Sequence, residues 1–365
     1  MTIETARVQP GDHAPWFKAP ALSGSPAYAF DTVAGRHVLM LFFGSTRDPR
    51  AAEALAAARR HRPLFDDDHC CFFGVTIDPE DAAQGRIRQE LPGIRFFLDY
   101  QGKLSRLYGA QGEKDYAPRW MLLDPRLRVL DIFEVGEGER AIGALREAIT
   151  ETSADSWAPV LEIPGILEPE LCRELIGLYE ADGGQESGFM RDVDGKTVHM
   201  IDHFHKQRRD FTIEDPELKK RIGARVTKRI NPAVLRSFQF HSTRMERYIV
   251  ACYEPGAGHF RPHRDNTTLG TAHRKFAVTI NLNAGDYEGG DLRFPEFGAR
   301  TYRAPTGGAI VFSCSLLHEA TPVTSGKRYA FLPFLYDEEG ARIREKNDPF
   351  LAEGGGQYRM DAKSG

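Results

Sequence analysis

The chain has 365 residues, of which 41% are hydrophobic and 27% charged, the composition of a globular protein with room for two domains. Its net charge of −4 argues against a nucleic-acid-binding chain. The first residues lack the apolar core of a signal peptide, and no apolar run reaches the length of a membrane helix. The five cysteines include no CxxC pair, which is typical of proteins in reducing compartments. We therefore expect a cytoplasmic protein without membrane contacts.

The first part of the chain carries the pattern of an α/β domain. Apolar runs at 37–44 and 70–78 are typical of buried parallel strands, and the alanine-rich segment 51–60 between them is typical of a helix. A hairpin pattern at 117–134 and a helical pattern near 140–149 follow. The order strand, helix, strand, hairpin, helix predicts a mixed sheet covered by helices.

This first domain, residues 1–150, resembles the thioredoxin-like redoxin or peroxiredoxin family. The resemblance rests on GDHAPWF near the start, FFG at the end of the first strand, Ala117-Pro118 before the hairpin, and the closing helix. It implies a cis peptide bond at Ala117-Pro118 and a reactive cysteine in the loop at 44–52. That loop reads GSTRDPRAA and holds no cysteine. We therefore expect a degenerate redoxin domain, used for docking, for recruiting a substrate or protein partner, or for forming a homodimer.

Cys70 and Cys71 leave one alternative open for this domain. A reactive pair there would make the protein a thiol peroxidase, because a thiolate is the nucleophile in that chemistry. Neighbouring residues of a strand face opposite sides of its sheet, however, and HCCFFGV reads as an apolar strand. The pattern favours two inert core cysteines.

Residues 151–159 read as a polar linker, and a short strand and an amphipathic helix follow them. Farther on, Asp202, His203 and His205 offer a second set of candidate metal ligands. Such spacing is common, and the favoured interpretation is a strand or loop that borders the main site. The basic segment 219–247 fits either a patch for an acidic partner or, more commonly, a solvated helix face.

The main candidate site lies in residues 247–336, where strand patterns alternate with glycine-rich turns. His263 and Asp265 form a His-x-Asp pair, and on one strand their side chains would share a face. His318 follows a hydrophobic strand at 309–312, far enough along the chain for several strands to intervene. Two histidines and a carboxylate form the facial triad of non-haem Fe(II) oxygenases. A zinc site with an open position is the alternative metal centre.

Arg328 lies ten residues past His318, in a strand (GKRYAFLPFLY) that is apolar on both faces. A buried guanidinium without a counter-charge is strongly unfavourable, and a bound carboxylate would supply that charge through a bidentate pair. A simple zinc hydrolase has no need of such a residue. Asn281 and Asn283 alternate in another strand, so we expect them to line one face and Asn281 to contact co-substrate or substrate.

The chain from residue 160 to 340 resembles the prolyl-4-hydroxylase type of Fe(II)/2-oxoglutarate-dependent dioxygenase. The matching motifs, in order, are YEPGAGHFRPHRD, EGGDLRF, PTGGAIVF and HEATPVTSGKR. The resemblance implies a mainly-β double-stranded jelly roll of the cupin type with flanking helices. A polar tail, residues 341–365, would follow this domain and be mobile or cover the cleft.

The resemblance also implies a set of site residues. His263, Asp265 and His318 would be the catalytic ligands of Fe(II), and Arg328 and Tyr253 would bind the distal carboxylate of 2-oxoglutarate. The reaction would be decarboxylation of 2-oxoglutarate by O2, coupled to hydroxylation of a C–H bond, with ascorbate allowed as an accessory reductant. Family bias alone points to a proline- or amino-acid-related substrate, either a small molecule or a peptide. A non-catalytic binding or sensing protein that acts through the redoxin-like domain is the remaining alternative.

Overall fold

The computed structural model describes residues 8–151, 156–352 and 358–359. They form two compact units, the first within 1–156 together with 295–298, and the second within the remaining residues. Residues 152–155 of the polar linker predicted from the sequence, and the glycine run of the predicted tail, lie outside the described residues.

The first unit is built on a five-stranded mixed sheet. The strands of this unit are β1 (Lys18–Ala19), β2 (Tyr28–Ala29), β3 (His37–Gly44), β4 (Cys70–Thr76), β5 (Ile94–Leu98), β6 (Arg119–Leu123) and β7 (Val129–Glu134), of which β1 and β2 pair only with each other. The helices of the unit are α1 (Pro49–Arg60), α2 (Pro79–Ala83), α3 (Lys103–Leu107) and α4 (Gly138–Glu151). The sheet order is β5-β4-β3-β6-β7, in which β3, β4 and β5 run parallel and the other pairs are antiparallel. Every residue of β3 is buried, as the uninterrupted apolar run predicts. The thioredoxin-like α/β fold predicted for this half is confirmed.

The start of α1 follows from its sequence. Asp48 accepts a hydrogen bond from the backbone N–H of Arg50 (2.9 Å), and Pro49 occupies the first helical position, where no N–H is needed. The alanines of α1 are largely buried and join the apolar cluster that includes Leu39 and Leu41 of β3. Small side chains therefore bring this helix close to the sheet.

The peptide bond at Ala117-Pro118 differs from the expectation. Within the described residues the one cis peptide bond joins Leu91 and Pro92, so the prediction of a cis bond before Pro118 is wrong. The backbone N–H of Ala117 donates to the carbonyl of Ala110 (2.8 Å) as the chain enters β6.

The second unit contains two facing sheets with helices on one side. Its strands are β8 (Leu161–Ile163), β9 (Gln185–Glu186), β10 (Phe189–Val193), β11 (Lys196–Met200), β12 (Lys206–Gln207), β13 (Arg209–Thr212), β14 (Arg244–Glu246), β15 (Ile249–Tyr253), β16 (His259–His263), β17 (Phe276–Asn281), β18 (Glu288–Gly289), β19 (Leu292–Arg293), β20 (Thr301–Tyr302), β21 (Ala309–Ser313), β22 (His318–Ala320), β23 (Val323–Ser325), β24 (Arg328–Phe331) and β25 (Phe334–Tyr336). Its helices are α5 (Pro169–Asp182), α6 (Pro216–Arg229), α7 (Asn231–Phe238) and α8 (Glu338–Asn347).

The larger sheet runs β14-β25-β17-β24-β15-β13-β9, and β21 joins it by pairing with β17 and β8. The smaller sheet runs β12-β16-β22-β19-β20. All the strand pairs of these two sheets are antiparallel. Two antiparallel sheets with helices on the flank confirm the predicted jelly roll.

Strand β15 shows how alternation builds both sides of the larger sheet. Val250 and Cys252 belong to the apolar cluster formed with helices α5, α6 and α7. Ala251 and Tyr253 point the other way and belong to a second cluster with Ala320 of the smaller sheet. The helices thus cover one face, and the other face encloses the space between the sheets.

The last helix, α8, occupies part of the segment expected to be a tail. The side chain of Asp337 accepts a hydrogen bond from the N–H of Gly340 (2.8 Å) and so caps the helix. Among the helices of the described ranges, none combines the length and the apolar character that a membrane crossing needs.

Candidate active site

His263 and His318 lie opposite each other on the paired strands β16 and β22. The sequence pattern predicted His263 and Asp265 on one strand. Strand β16 instead ends at His263, and Asp265 belongs to the turn that follows. The N–H of Asp265 donates to the carbonyl of Cys314 (3.0 Å), and this bond brings the carboxylate back toward the histidines. The Asp265 carboxylate oxygens lie 3.5 Å from Nε2 of His263 and 3.3 Å from Nε2 of His318.

The backbone orients both imidazoles, and an aromatic ring packs against one of them. Nδ1 of His263 lies 2.8 Å from the carbonyl oxygen of Arg261, and Nδ1 of His318 lies 3.0 Å from that of Leu316. A proton on each Nδ1 satisfies these carbonyls and leaves the Nε2 lone pairs facing Asp265. Phe260 stacks on the His263 ring, with the ring centroids 3.4 Å apart. The three side chains offer one ligand atom each within 4.8 Å of one another, a spacing that suits a metal ion.

The electrostatics of the cluster favour the protonation states that a metal requires. Burial, reinforced by the nearby His318, lowers the pKa of His263 to about 4. Burial by itself would raise the pKa of Asp265, but attraction to His318 and His263 outweighs it and holds that pKa well below its usual range. At neutral pH His263 is therefore neutral and Asp265 is anionic.

Arg328 lies in the same cavity and is only 2% exposed. Its Nε and one terminal nitrogen find no hydrogen-bond partner within the described part of the chain. Its guanidinium lies over the ring of Tyr253, 4.8 Å from the centroid, because the two residues are register partners on β24 and β15. Unmet buried donors of this kind are costly, and a ligand carboxylate would satisfy them.

The cavity lies between the two sheets, is open to solvent on one side, and is lined by side chains from both sheets. His263, Asp265 and His318 lie on the side of the smaller sheet, and Arg328 and Tyr253 on the side of the larger one. Two imidazoles and one carboxylate match the donor set of Fe(II), and the unsatisfied guanidinium matches a carboxylate of 2-oxoglutarate. The residues present therefore fit both groups.

Of two further predicted site residues, Tyr253 lines the cavity and Asn281 does not. The Tyr253 hydroxyl accepts a hydrogen bond from Arg208 (3.2 Å), while its ring faces Arg328. Asn281 does not line the cavity, because its amide nitrogen donates to the carbonyl of Ala304 (2.7 Å). Asn283 likewise bonds backbone atoms of β24 and the turn before it. Both asparagines hold the ends of strands and do not approach the cluster.

The region expected to border the site does so. The ring of His205 lies between Phe189 and Phe260, and its centroid is 6.5 Å from that of His263. His203 is exposed and pairs with Glu186. Within the described ranges, the triad is the one group of three or more side chains spaced for a metal, so Asp202, His203 and His205 do not form a second site.

A buried charged cluster beside the cavity was missed in the sequence. Arg208 binds Asp210 through two hydrogen bonds of 2.7 Å, and Arg247 reaches the same carboxylate at 3.3 Å. Burial opposes ionisation of Asp210, but Arg208 and Arg247 lower its pKa to about 2. Lys206 is also buried, and burial lowers its pKa well below the usual value. The period-two placement of Lys206, Arg208 and Asp210 was the available signal, since it puts three charges on one side of an extended segment.

The two cysteines of the first unit are too deeply buried to act as nucleophiles. Cys70 and Cys71 are completely buried in β4. Burial raises the pKa of each thiol to about 12. In the loop after β3, Ser45 donates a hydrogen bond to Asp78 (2.6 Å), and Thr46 donates to Asp81. Where the redoxin resemblance calls for a thiolate, the structure therefore has a hydrogen-bonded polar loop.

The chain is similar to two families in two separate segments. Residues 248–336 match the profile of the 2OG-Fe(II) oxygenase superfamily, and residues 10–132 match that of the AhpC/TSA family. A PKHD-type hydroxylase from Synechococcus sp. (strain JA-2-3B'a(2-13)) is 34% identical over 88 residues, which is 22% of this chain and 39% of that protein. A PKHD-type hydroxylase from Shewanella sp. (strain MR-7) is 27% identical over 201 residues, covering 50% of this chain and 82% of that protein.

Solved structures resemble each half separately. A Pseudomonas putida prolyl-4-hydroxylase covers 49% of this chain and 93% of its own, with 18% identity and a TM-score of 0.39. Peroxidoxin BcpB from Mycobacterium tuberculosis covers 39% of this chain and 98% of its own, with 18% identity and a TM-score of 0.33.

Proposed function

We propose that this protein is an Fe(II)- and 2-oxoglutarate-dependent hydroxylase, because residues 248–336 match the profile of the 2OG-Fe(II) oxygenase superfamily. The observation that carries the proposal is the unsatisfied, buried guanidinium of Arg328 in the same cavity as the His263, Asp265 and His318 cluster. The cluster alone would also suit zinc. A zinc hydrolase, however, gives Arg328 no counter-charge, whereas 2-oxoglutarate supplies one.

In this proposal His263, Asp265 and His318 hold the metal, and Arg328 binds the distal carboxylate of 2-oxoglutarate. When bound, Fe(II) would let 2-oxoglutarate donate two electrons to O2, so that one oxygen atom enters succinate as CO2 leaves and the other enters a C–H bond of the substrate. Tyr253 supports Arg328 through its ring. Its hydroxyl, fixed by Arg208, is a second contact for the co-substrate. The apolar lining of the cavity, which includes Phe312, excludes water from the reacting atoms.

The proposed substrate is a proline- or amino-acid-related compound, free or within a peptide. The support is similarity to proteins named as PKHD-type hydroxylases, and the alignment covers only 39% of the Synechococcus protein. A mass gain of one oxygen in a candidate amino acid or peptide would identify the substrate.

We propose a non-catalytic role for the first unit, in docking, recruitment of a partner or dimerisation. The buried thiols Cys70 and Cys71, with their raised pKa values, speak against a peroxidase. The five cysteines are free and buried, which supports the proposal of a reducing, cytoplasmic location.

An anaerobic titration tests the enzyme assignment. Metal-free protein receives Fe(II) and then 2-oxoglutarate, and the visible charge-transfer band of the chelated keto acid is recorded. We expect the band in the wild type, its loss in His263→Ala and its weakening in Arg328→Ala. His203→Ala, which removes an exposed histidine, is the matched control and should keep it. Bound metal without a band in the wild type would contradict the proposal and favour a zinc-type or non-catalytic protein.

A further inference from the structure

The positive charge beside the cavity exceeds the negative charge that accompanies it. Arg208 and Arg247 line the cavity with Arg328. Asp210 is the one carboxylate among the described residues that pairs with Arg208 and Arg247. Arg208 donates a hydrogen bond of 2.7 Å to each oxygen of Asp210, so the Asp210 carboxylate mainly neutralises Arg208.

Arg247 is the member of this group with free donor capacity. Within the described part of the chain it makes a single polar contact, a 3.3 Å hydrogen bond from one terminal nitrogen to Asp210, and its guanidinium lies 5.6 Å from the ring centroid of Phe334. The side chain is 31% exposed, so a ligand in the cavity can reach it. Its backbone has φ +63°, a left-handed conformation that is uncommon for arginine and is often kept at functional sites.

A charge balance shows what the cavity still lacks once its cofactors are bound. The two positive charges of Fe(II) and the one of Arg328 are matched by Asp265 and the two carboxylates of 2-oxoglutarate. Arg208, Arg247 and Asp210 then retain one uncompensated positive charge next to a low-dielectric cavity. Lys206 is not among the residues that line the cavity, because its Nζ donates to the Ser187 hydroxyl and the Gly188 carbonyl. One missing negative charge fits a monoanion better than a phosphate dianion.

We propose that the substrate to be hydroxylated carries a carboxylate, and that Arg247, beside the Arg208–Asp210 pair, binds it. This inference rests on the proposed function and narrows its substrate class. The carboxylate belongs either to a free amino acid or related small acid, or to a peptide through its C-terminus or an acidic side chain. A charge-assisted bond to Arg247 then holds the substrate on the Arg208 side of the cavity.

Paired compounds test the proposal without turnover. Protein loaded with Zn(II) in place of Fe(II) and with 2-oxoglutarate is screened by saturation-transfer NMR against free amino acids and their primary amides, and against short peptides with free or amidated C-termini and acidic or amide side chains. Calorimetry then measures the affinities of the hits. We expect acids to bind at least about tenfold more tightly than their amides, the effect of one charge-assisted hydrogen bond.

Variants locate the interaction. Arg247→Gln should weaken binding of the acids by about tenfold while the affinity for 2-oxoglutarate stays unchanged, and Arg247→Lys should restore part of the loss. Arg236→Gln, at an exposed arginine of α7, is the control. Hits among free acids alone, or among peptides alone, support the proposal and identify the source of the carboxylate.

Three results would overturn this inference: no acid binds, amides bind as well as acids, or acid binding is unchanged in Arg247→Gln. Failure of the wild-type protein to bind 2-oxoglutarate in the loading step would instead refute the proposed function itself. The two failures occur at different steps and are therefore distinguishable.

Discussion

His263 and His318 are register partners on adjacent antiparallel strands, and their ring centroids lie 4.3 Å apart although 55 positions separate them in the chain. Strand pairing, and not local sequence, sets their spacing, while a turn held by the Asp265 N–H adds the carboxylate. A metal ion bound between them should therefore stabilise the pairing of β16 with β22.

Metal affinity is expected to depend on all three side chains of the cluster. Replacing His318 by Ala should weaken Zn(II) or Fe(II) binding by at least about a hundredfold, since loss of an outer-shell partner alone costs 10–100-fold. The wild type should also gain about 2.7 kcal/mol of stability at a metal concentration a hundred times the Kd. Calorimetry and thermal melts with and without metal would check both, with His203→Ala as control. A His318→Ala protein that still melts higher with metal would place the metal elsewhere.

Replacement of Arg328 by Met should separate stability from co-substrate binding. The unliganded protein should be as stable as the wild type or more stable by about 1 kcal/mol, because a buried guanidinium without a counter-charge is removed. Binding of 2-oxoglutarate should fall by at least about a hundredfold, because two charge-assisted hydrogen bonds are lost. Denaturant melts and calorimetry measure the two effects. Strong destabilisation of the unliganded protein would show that Arg328 has a structural partner of its own.

Asp210 should contribute stability that depends on pH. Its folded-state pKa of about 2 lies below the ordinary carboxyl value, so its contribution is fully present above that ordinary value and is lost as pH falls toward 2. Asp210→Asn should lower the free energy of unfolding by about 3–5 kcal/mol at neutral pH, because Arg208 and Arg247 lose their carboxylate.

The measurement is the difference between wild-type and Asp210→Asn stability across acid pH, from denaturant melts. That difference should shrink as pH falls from about 4 to about 2. Asp202→Asn, at an exposed aspartate, serves as the control. A difference that stays constant over this range would mean that Asp210 does not titrate as an ion pair.

The thiols should be protected in the folded protein. All five cysteines are buried, so a thiol reagent should label none of them rapidly at neutral pH and should label five after unfolding in denaturant. The rates of labelling, followed by absorbance and mass spectrometry, provide the check. Fast labelling of Cys70 or Cys71 in the native protein would revive the peroxidase alternative.

Much of the fold could be predicted because it depends on local patterns. The uninterrupted apolar run at 37–44 predicts a strand buried on both faces, and it forms β3. The buried position of Arg328 followed likewise from the apolar residues on either side of it. The cis bond before Pro118 was predicted wrongly, because a resemblance does not specify how a particular loop closes.

The sequence by itself determined the chemical types present: two histidines, one aspartate and one arginine in an order typical of an iron oxygenase, and a redoxin-like half without its cysteine. Only the tertiary structure decided which of them meet. It directed Asn281 toward a backbone carbonyl. It also brought Arg208 and Arg247 to the edge of the cavity, where both pair with Asp210. The physical reason is that local sequence determines which residues alternate along a strand. How the sheets close around the cavity determines which distant strands pair, and therefore which charges are buried together.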